Sequence, residues 1–242
     1  MRDLNCDLGE GEAPARTRAL LRVVTSANIA CGGHAGDARS MRRCLRLCRE
    51  FGVRAGAHPG YVDREFFGRR SLPLAPAALE VLLAGQTGAL ARIAESEAVA
   101  LSHVKLHGAL YHVVERDPVL ARIFAEFVGR NFPRFRILAA PDGEVVRAAA
   151  SCGVAVWREI FADRAYSPGG GLVSRDQPGA VLTVRQVRAR LQTLRAAGLL
   201  AAEDGTPLRF AAETLCVHAD SPQAVRIAKL ARPALSPGEN PR

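Results

Sequence analysis

Residues 26–37 read SANIACGGHAGD, apolar at the start and polar at the end. From Asp37 onward, Met41, Cys44, Leu45 and Cys48 recur at helical spacing, while Arg42, Arg43, Arg46 and Arg49 largely fill the opposite face. Asp37 is placed to cap that helix. The run before the loop, from Val24 to Cys31, is short, apolar and strand-like. The segment is therefore a strand, a loop and a helix. A plain connector needs turn residues only. This one gathers Asn28, Cys31, His34 and Asp37 among three glycines, which predicts a strand end that contributes to a shared polar site.

The same unit recurs along the chain. Strand-like runs are expected at 3–8, 24–31, 53–58, 102–108, 135–141, 155–161 and 210–218. Helical patterns follow at 76–97, 117–130, 143–152, 184–198 and 221–233. Pro76, Pro118 and Pro222 suit first helical positions, where a missing N–H is harmless. Repeated strand–helix alternation predicts a parallel sheet with helices outside it. Seven strands in 242 residues favour one distorted, TIM-like β/α barrel over residues 1–233. A polar, proline-rich tail, expected to be disordered, covers 234–242.

Charge and composition exclude several roles. The net charge of +9 is almost all arginine, since lysine occurs only at Lys105 and Lys229. The arginines are scattered along helices without interleaved aromatics, so no nucleic-acid groove is expected. No signal-peptide pattern and no apolar run of membrane length is read, so no membrane is expected as a partner. Six cysteines with no CxxC pair predict free thiols in a reducing cytoplasm. There is no P-loop, nucleophile elbow or HExxH helix. The glycine-rich 167–173 stretch reads as a mobile loop or lid rather than a phosphate cradle.

The chemistry gathers where strands end. Asp7 and Glu10 close the first strand, Asn28, His34 and Asp37 the second, and His58 the third, followed by Asp63, Arg69 and Arg70. Lys105 and His107 close the fourth, Glu159, Asp163 and Arg164 follow the sixth, and His218 and Asp220 close the last. In a parallel barrel these ends share one face, where barrel enzymes build their sites. A lone strand-end histidine is commonly structural, and Asn5 and Asn28 can serve loop backbone. Lys105 inside an apolar strand is different, because an unpaired buried ammonium is prohibitive.

The motifs DLNCDLGEG, SANIACGGHAGD, GAHPGYVDREFFGRR, HVKLHGALY, FADRAYSPGGGLVSRDQPGAVL and CVHADSPQAV, in this order, resemble those of the LamB/YcsF family, which forms the A subunit of the prokaryotic ATP-dependent 5-oxoprolinase. The resemblance runs from Asp3 to about Val225. It departs from the family pattern at Leu106, His112, Phe66 and Ala219, which leaves the candidate reactive side chains in place. It implies a seven-stranded barrel similar to glycoside hydrolase and deacetylase barrels. It also implies opening of 5-oxo-L-proline to L-glutamate, coupled to ATP and to partner subunits B and C. On that reading Asp7, His58, Lys105 and His107 are the catalytic candidates. Asn5, Asn28, His34, Arg69, Arg70 and Arg164 are candidates for holding substrate. Asp7, His58 and His107 are an acceptable ligand set for a divalent metal. ATP is expected to bind mainly to the partner subunits. Two rivals are a metal-dependent deacetylase of an N-acetylated sugar and a non-catalytic scaffold.

Overall fold

A computed structural model describes residues 1–235. The expected tail, beyond Leu235, lies outside the described residues. The strands are β1 (Asp3–Leu8), β2 (Ser26–Ala30), β3 (Arg54–His58), β4 (Leu101–Lys105), β5 (Arg136–Ala139), β6 (Ala155–Phe161), β7 (Leu200–Ala201), β8 (Pro207–Leu208) and β9 (Thr214–His218). The helices are α1 (Pro14–Leu21), α2 (Ala38–Phe51), α3 (Pro76–Ser96), α4 (Gly108–Val114), α5 (Pro118–Asn131), α6 (Glu144–Ser151), α7 (Val184–Ala197) and α8 (Ala224–Ala231). β1 to β6 and then β9 pair in parallel and close on β1 as a seven-stranded barrel. All seven expected strands are present. β7 and β8 form a small antiparallel pair outside the barrel.

The register explains what fills the barrel. Asp3, Asn5 and Asp7 alternate with Leu4, Cys6 and Leu8 along β1. Side chains of a strand alternate faces, so one face carries the polar set and the other the apolar set. Asn5 pairs with Ser26 and Cys216, and Asp7 with Asn28 and His218. Hydrogen bonds across the interior join Asn5 to Glu159 and Asn28 to His103. The polar faces therefore point inward. Leu4, Leu8, Ile29, Val104, Leu215 and Val217 belong to the apolar layer between strands and helices. Gly56 belongs to this design: a Cβ there would lie 2.2 Å from the His103 ring. Only glycine lets that imidazole lie across the barrel.

The helices follow their sequence cues. Asp37 caps α2, accepting from the Ser40 N–H at 2.7 Å while Ser40 Oγ accepts from Asp37 N–H, and Gly52 ends the helix in the left-handed region at φ 64°. Asp117 caps α5, with Pro118 at its first position. The third proline cue differs, because α8 begins at Ala224 and Ser221 turns the chain before it. α1 and α4 add to the expected helices, at only 8 and 7 residues. The strand expected over 102–108 stops at Lys105, and Gly108 turns into α4.

The expectation that nothing has membrane-span length needs correction. α3, at 21 residues, is long and apolar enough by composition. Its Leu79, Leu83 and Leu90 are buried in the layer around the barrel, and it packs between α2 and α5. All six cysteines are free thiols.

Candidate active site

Lys105 sits at the centre of the barrel interior, 2% exposed. Its Nζ lies 3.0 Å from Asp7 Oδ1, 3.0 Å from Glu159 Oε1 and 3.0 Å from Cys216 Sγ. An ammonium has three N–H donors, so each has an internal acceptor. Asp7 Oδ1 also accepts from Asn28 Nδ2 at 2.8 Å, and Asn28 Nδ2 reaches Asn5 Oδ1 at 2.7 Å. Asn5 Nδ2 donates to Glu159 at 2.8 Å and Thr214 at 2.7 Å. Burial opposes charge on Asp7, but His58 and Lys105 outweigh it and hold the carboxyl well below its ordinary value. Burial likewise opposes charge on Lys105, and Asp7 and its neighbours keep it protonated. Burial pushes Glu159 up instead, and its Oε2 has no partner.

Above this ion pair, the end of β3 and the loops after β2 and β4 bring histidines together. His58 Nε2 and His107 Nδ1 are 3.0 Å apart. Glu10 Oε1 is 3.2 Å from His107 Nδ1, 3.6 Å from His58 Nε2 and 2.9 Å from His34 Nε2. The His34 and His107 rings stack at 3.5 Å, and His34 Nδ1 is buried without a partner. Two glycines permit this packing. A Cβ at Gly68, whose φ is +64°, would come within 2.8 Å of His34, and one at Gly60 within 2.7 Å.

Backbone acceptors fix the protons. His58 Nδ1 meets Lys105 O at 2.9 Å, and His107 Nε2 meets Phe67 O at 2.9 Å. A carbonyl only accepts, so those nitrogens carry the hydrogens. The facing His58 Nε2 and His107 Nδ1 are then two lone pairs beside a carboxylate. A shared proton or a cation satisfies that arrangement. The two rings differ electrostatically. Burial disfavours charge on His58, yet Asp7 and Glu10 prevail and raise its pKa. Burial prevails on His107 and lowers it, and it lowers His34 to about 4. The atoms of Glu10, His34, His58 and His107 lie within 4.8 Å of one another, a spacing that fits a metal ion. Each of His58 and His107 gives its other N–H to a backbone carbonyl, as metal-ligating histidines do.

A cavity of about 880 Å³ opens onto this cluster, with Asp7, Glu10, His58, Lys105, His107 and His218 along its inner wall. Its remaining wall holds Arg69, His112, Arg116, Arg164 and Arg175. His218 is oriented by Asp163, 2.9 Å from its Nδ1, and stacks on Phe161. The 167–173 loop is tied by a bridge between Tyr166 and Leu172, and Leu172 to Asp176 line the cavity. The three glycines preceding Leu172 do not line it.

The four candidate catalytic residues thus converge, but the candidate substrate contacts divide. Arg69 and Arg164 line the cavity. Asn5, Asn28 and His34 do not, because they lie behind Asp7 and Glu10 as supports. Arg70 turns away to pair with Asp63 at 2.8 Å and stacks on Phe66. The ligand trio also shifts. Glu10 is the carboxylate that meets both imidazoles, whereas Asp7 Oδ2 is 3.5 Å from His58 and Asp7 Oδ1 is taken by Lys105. Asp7, Cys216 and His218 form a second close group. There burial holds the Cys216 thiol well above its ordinary pKa, which makes it a poor ligand. Glu10, Glu159 and His218 are strand-end residues to which sequence reasoning assigns no role. For Glu159 the available signal is its place beside apolar Ile160 in β6, on the alternate face.

The LamB/YcsF family model matches residues 2–239. The A subunit of 5-oxoprolinase from Chloroflexus aggregans is 44% identical over 238 residues, covering 96% of this chain and 94% of its own. That of Nitrobacter winogradskyi is 43% identical over 238 residues, covering 96% and 93%. The crystal structure of the lactam utilization protein from Thermus thermophilus shares the fold with a TM-score of 0.87 at 35% identity, covering 97% of this chain and 96% of that one.

Proposed function

The chain belongs to the LamB/YcsF family, and from that premise we propose that it opens the lactam of 5-oxo-L-proline to L-glutamate. Relatives named as the A subunit of 5-oxoprolinase, and a similar structure named for lactam utilization, support a hydrolase of cyclic amides working in a multi-subunit enzyme. The observation that carries the reading is the cluster of Glu10, His58 and His107 at the cavity wall, built over a buried Asp7–Lys105 pair.

Lactam hydrolysis needs a base for the attacking water and an acid for the leaving nitrogen. The paired imidazoles divide these tasks. His107, kept neutral by burial and aligned by Glu10, accepts the water proton at Nδ1. His58, held cationic by Asp7 and Glu10, delivers a proton from Nε2 to the ring nitrogen as the C–N bond breaks. Such acid–base help contributes roughly 10²–10⁴-fold. Asp7 is too weak a base to compete and serves to stabilise the charge on His58. Lys105 has no N–H left for substrate. It acts as a fixed charge that keeps Asp7 ionised. Arg69 lines the cavity while bonded through Nη2 to Asp220 at 2.6 Å, and its remaining N–H groups hold the substrate carboxylate.

A divalent metal fits Glu10, His34, His58 and His107. When bound it would supply a Lewis acid and a more acidic water. Metal analysis of unsupplemented protein separates two versions of the site: one equivalent of metal, with activity lost on chelation, would occupy the facing ring nitrogens of His58 and His107 and overturn the proton pair. Full activity of metal-free protein removes the metal and leaves the His58–His107 proton pair. ATP is assigned to partner subunits B and C, in keeping with the missing P-loop. The free thiols suit a cytoplasmic location.

The test is glutamate formation from 5-oxo-L-proline, with and without ATP and the partner subunits. Turnover that requires this chain, the partners and ATP is expected. Acetate release from an N-acetylated sugar by the isolated chain would favour the deacetylase. Unchanged turnover by a complex carrying His107→Gln would favour the scaffold.

A further inference from the structure

The acid–base cluster occupies one wall of the cavity, and a five-membered ring with a single carboxylate leaves much of the 880 Å³ unfilled. The other wall is built differently. Arg164 is 4% exposed, and among the described residues no carboxylate pairs with it. Its Nε and Nη2 donate to the carbonyls of Ala180 at 3.3 Å and Val173 at 2.6 Å, which fixes the guanidinium plane. Its Nη1 makes no hydrogen bond among the described residues. A buried cation without a counter-charge is costly unless something pairs with it. Its neighbours add to the imbalance. Burial, Arg175 and Arg69 disfavour its charge, and Asp163 offsets them only in part, while burial together with Arg164, Arg116 and Arg175 lowers His112 to about 4.

The acids nearby are largely engaged. Asp220 spans Arg69 at 2.6 Å and Arg175 at 3.0 Å. Asp163 is bound to His218, and Asp117 caps α5. Asp176 is the remaining carboxylate on this wall.

We infer that the wall formed by Arg164, Arg175 and Arg116 is a subsite for a phosphoryl-class dianion, separate from the histidine cluster that does the proton chemistry. Planar guanidinium groups match the oxygens of a phosphate bidentately, and the fixed Arg164 leaves Nη1 free for one. A phosphoryl group carried on a substrate and free phosphate share this chemistry. The inference goes beyond the lactam reading, since it concerns a second ligand group whatever the inner wall hydrolyses.

The test is calorimetry on the intact chain at constant ionic strength, with inorganic phosphate, methyl phosphate and acetate as probes. Inorganic phosphate or methyl phosphate is expected to bind at least ten-fold more tightly than acetate. Arg164→Gln is expected to weaken that binding about ten-fold, a loss of one charge-assisted contact. Arg175→Gln, on the more exposed loop, guards against misfolding of the first variant and is expected to weaken binding several-fold. Arg70→Gln, off the cavity, and His107→Gln, on the inner wall, are expected to leave it unchanged. Tighter binding of methyl phosphate assigns the subsite to a substrate-borne group, and tighter binding of inorganic phosphate assigns it to free phosphate. Phosphates that bind no better than acetate overturn the inference, as does binding unaffected in both arginine variants. Neither result requires turnover, so failure here leaves the lactam assay untouched.

Discussion

Two polar layers fill the barrel, and they behave oppositely. In the lower one, Asp3 accepts from Ser26 at 2.7 Å, Arg54 at 2.6 Å and Thr214 at 2.6 Å. His103 bonds to Asn28 at 2.9 Å and to Ser102 at 2.9 Å. Every buried side-chain group named there has a partner. In the upper layer Glu159 Oε2, beside Lys105, and His34 Nδ1 have none, and two imidazole lone pairs face each other beside Glu10. Both layers are buried and charged. Only the upper one meets the cavity. Buried polarity alone therefore does not mark a reactive site in this barrel. Unpartnered buried atoms alone do not mark it either, since Thr87 Oγ1 and Glu115 Oε2 lack partners away from the cavity. What sets the upper layer apart is the pair of facing imidazoles beside Glu10 at the cavity wall, free to bind a ligand or move a proton.

The largest expected effect lies in the upper layer. His58→Gln or His107→Gln should lower kcat of the reconstituted enzyme by about 10²–10⁴, with thermal unfolding shifted by no more than the equivalent of about 1 kcal/mol. A stability loss of several kcal/mol with retained rate would reverse the roles of the layers.

The lower layer should answer to pH and to truncation through stability. Burial lowers His103 to about 3, while its unfolded value is near 6.5. Below about pH 6.5 the unfolded chain binds a proton that the folded chain does not. Stability therefore falls as pH drops from 6.5 toward 3, by up to roughly 4–5 kcal/mol from this residue. His103→Gln should remove about one proton from the acid-unfolding slope, measured by denaturant titration across that window. Asp3→Ala should cost about 3 kcal/mol by stranding Arg54 and three hydroxyls, and change kcat less than two-fold.

The smallest effects separate neighbouring arginines. Arg69→Gln should raise KM for 5-oxo-L-proline about ten-fold, and Arg70→Gln less than two-fold. Equal effects would mean that the Arg70–Asp63 pair opens to admit substrate.

Much of this architecture is legible in residue order. The strand–helix alternation places all seven barrel strands, and Asp37, Asp117 and Pro76 mark true helix starts. The convergence of Asp7, His58, Lys105 and His107 follows from strand ends sharing one face. What escapes is the direction of side chains. Asn5 and Asn28 sit at the correct strands but one level below the cavity, a depth that strand position alone does not encode. Arg69 and Arg70 are adjacent in sequence, and only the fold of their loop sends one to the cavity and the other to Asp63. Glu10 lies beyond the end of β1, where loop geometry rather than periodicity decides its reach. α1 lacks an apolar stripe, since only Thr17, Leu20 and Leu21 are buried and the last two are adjacent, and α4 is only 7 residues long.

The central claim is that the facing imidazoles carry out the proton transfers of ring opening. Its most direct measurement is steady-state glutamate formation by the complex assembled with His107→Gln, set beside the wild-type complex at equal stability and subunit stoichiometry. The account predicts a rate at least a hundred-fold lower. A rate equal to wild type would contradict it and leave this barrel as a scaffold for chemistry done elsewhere.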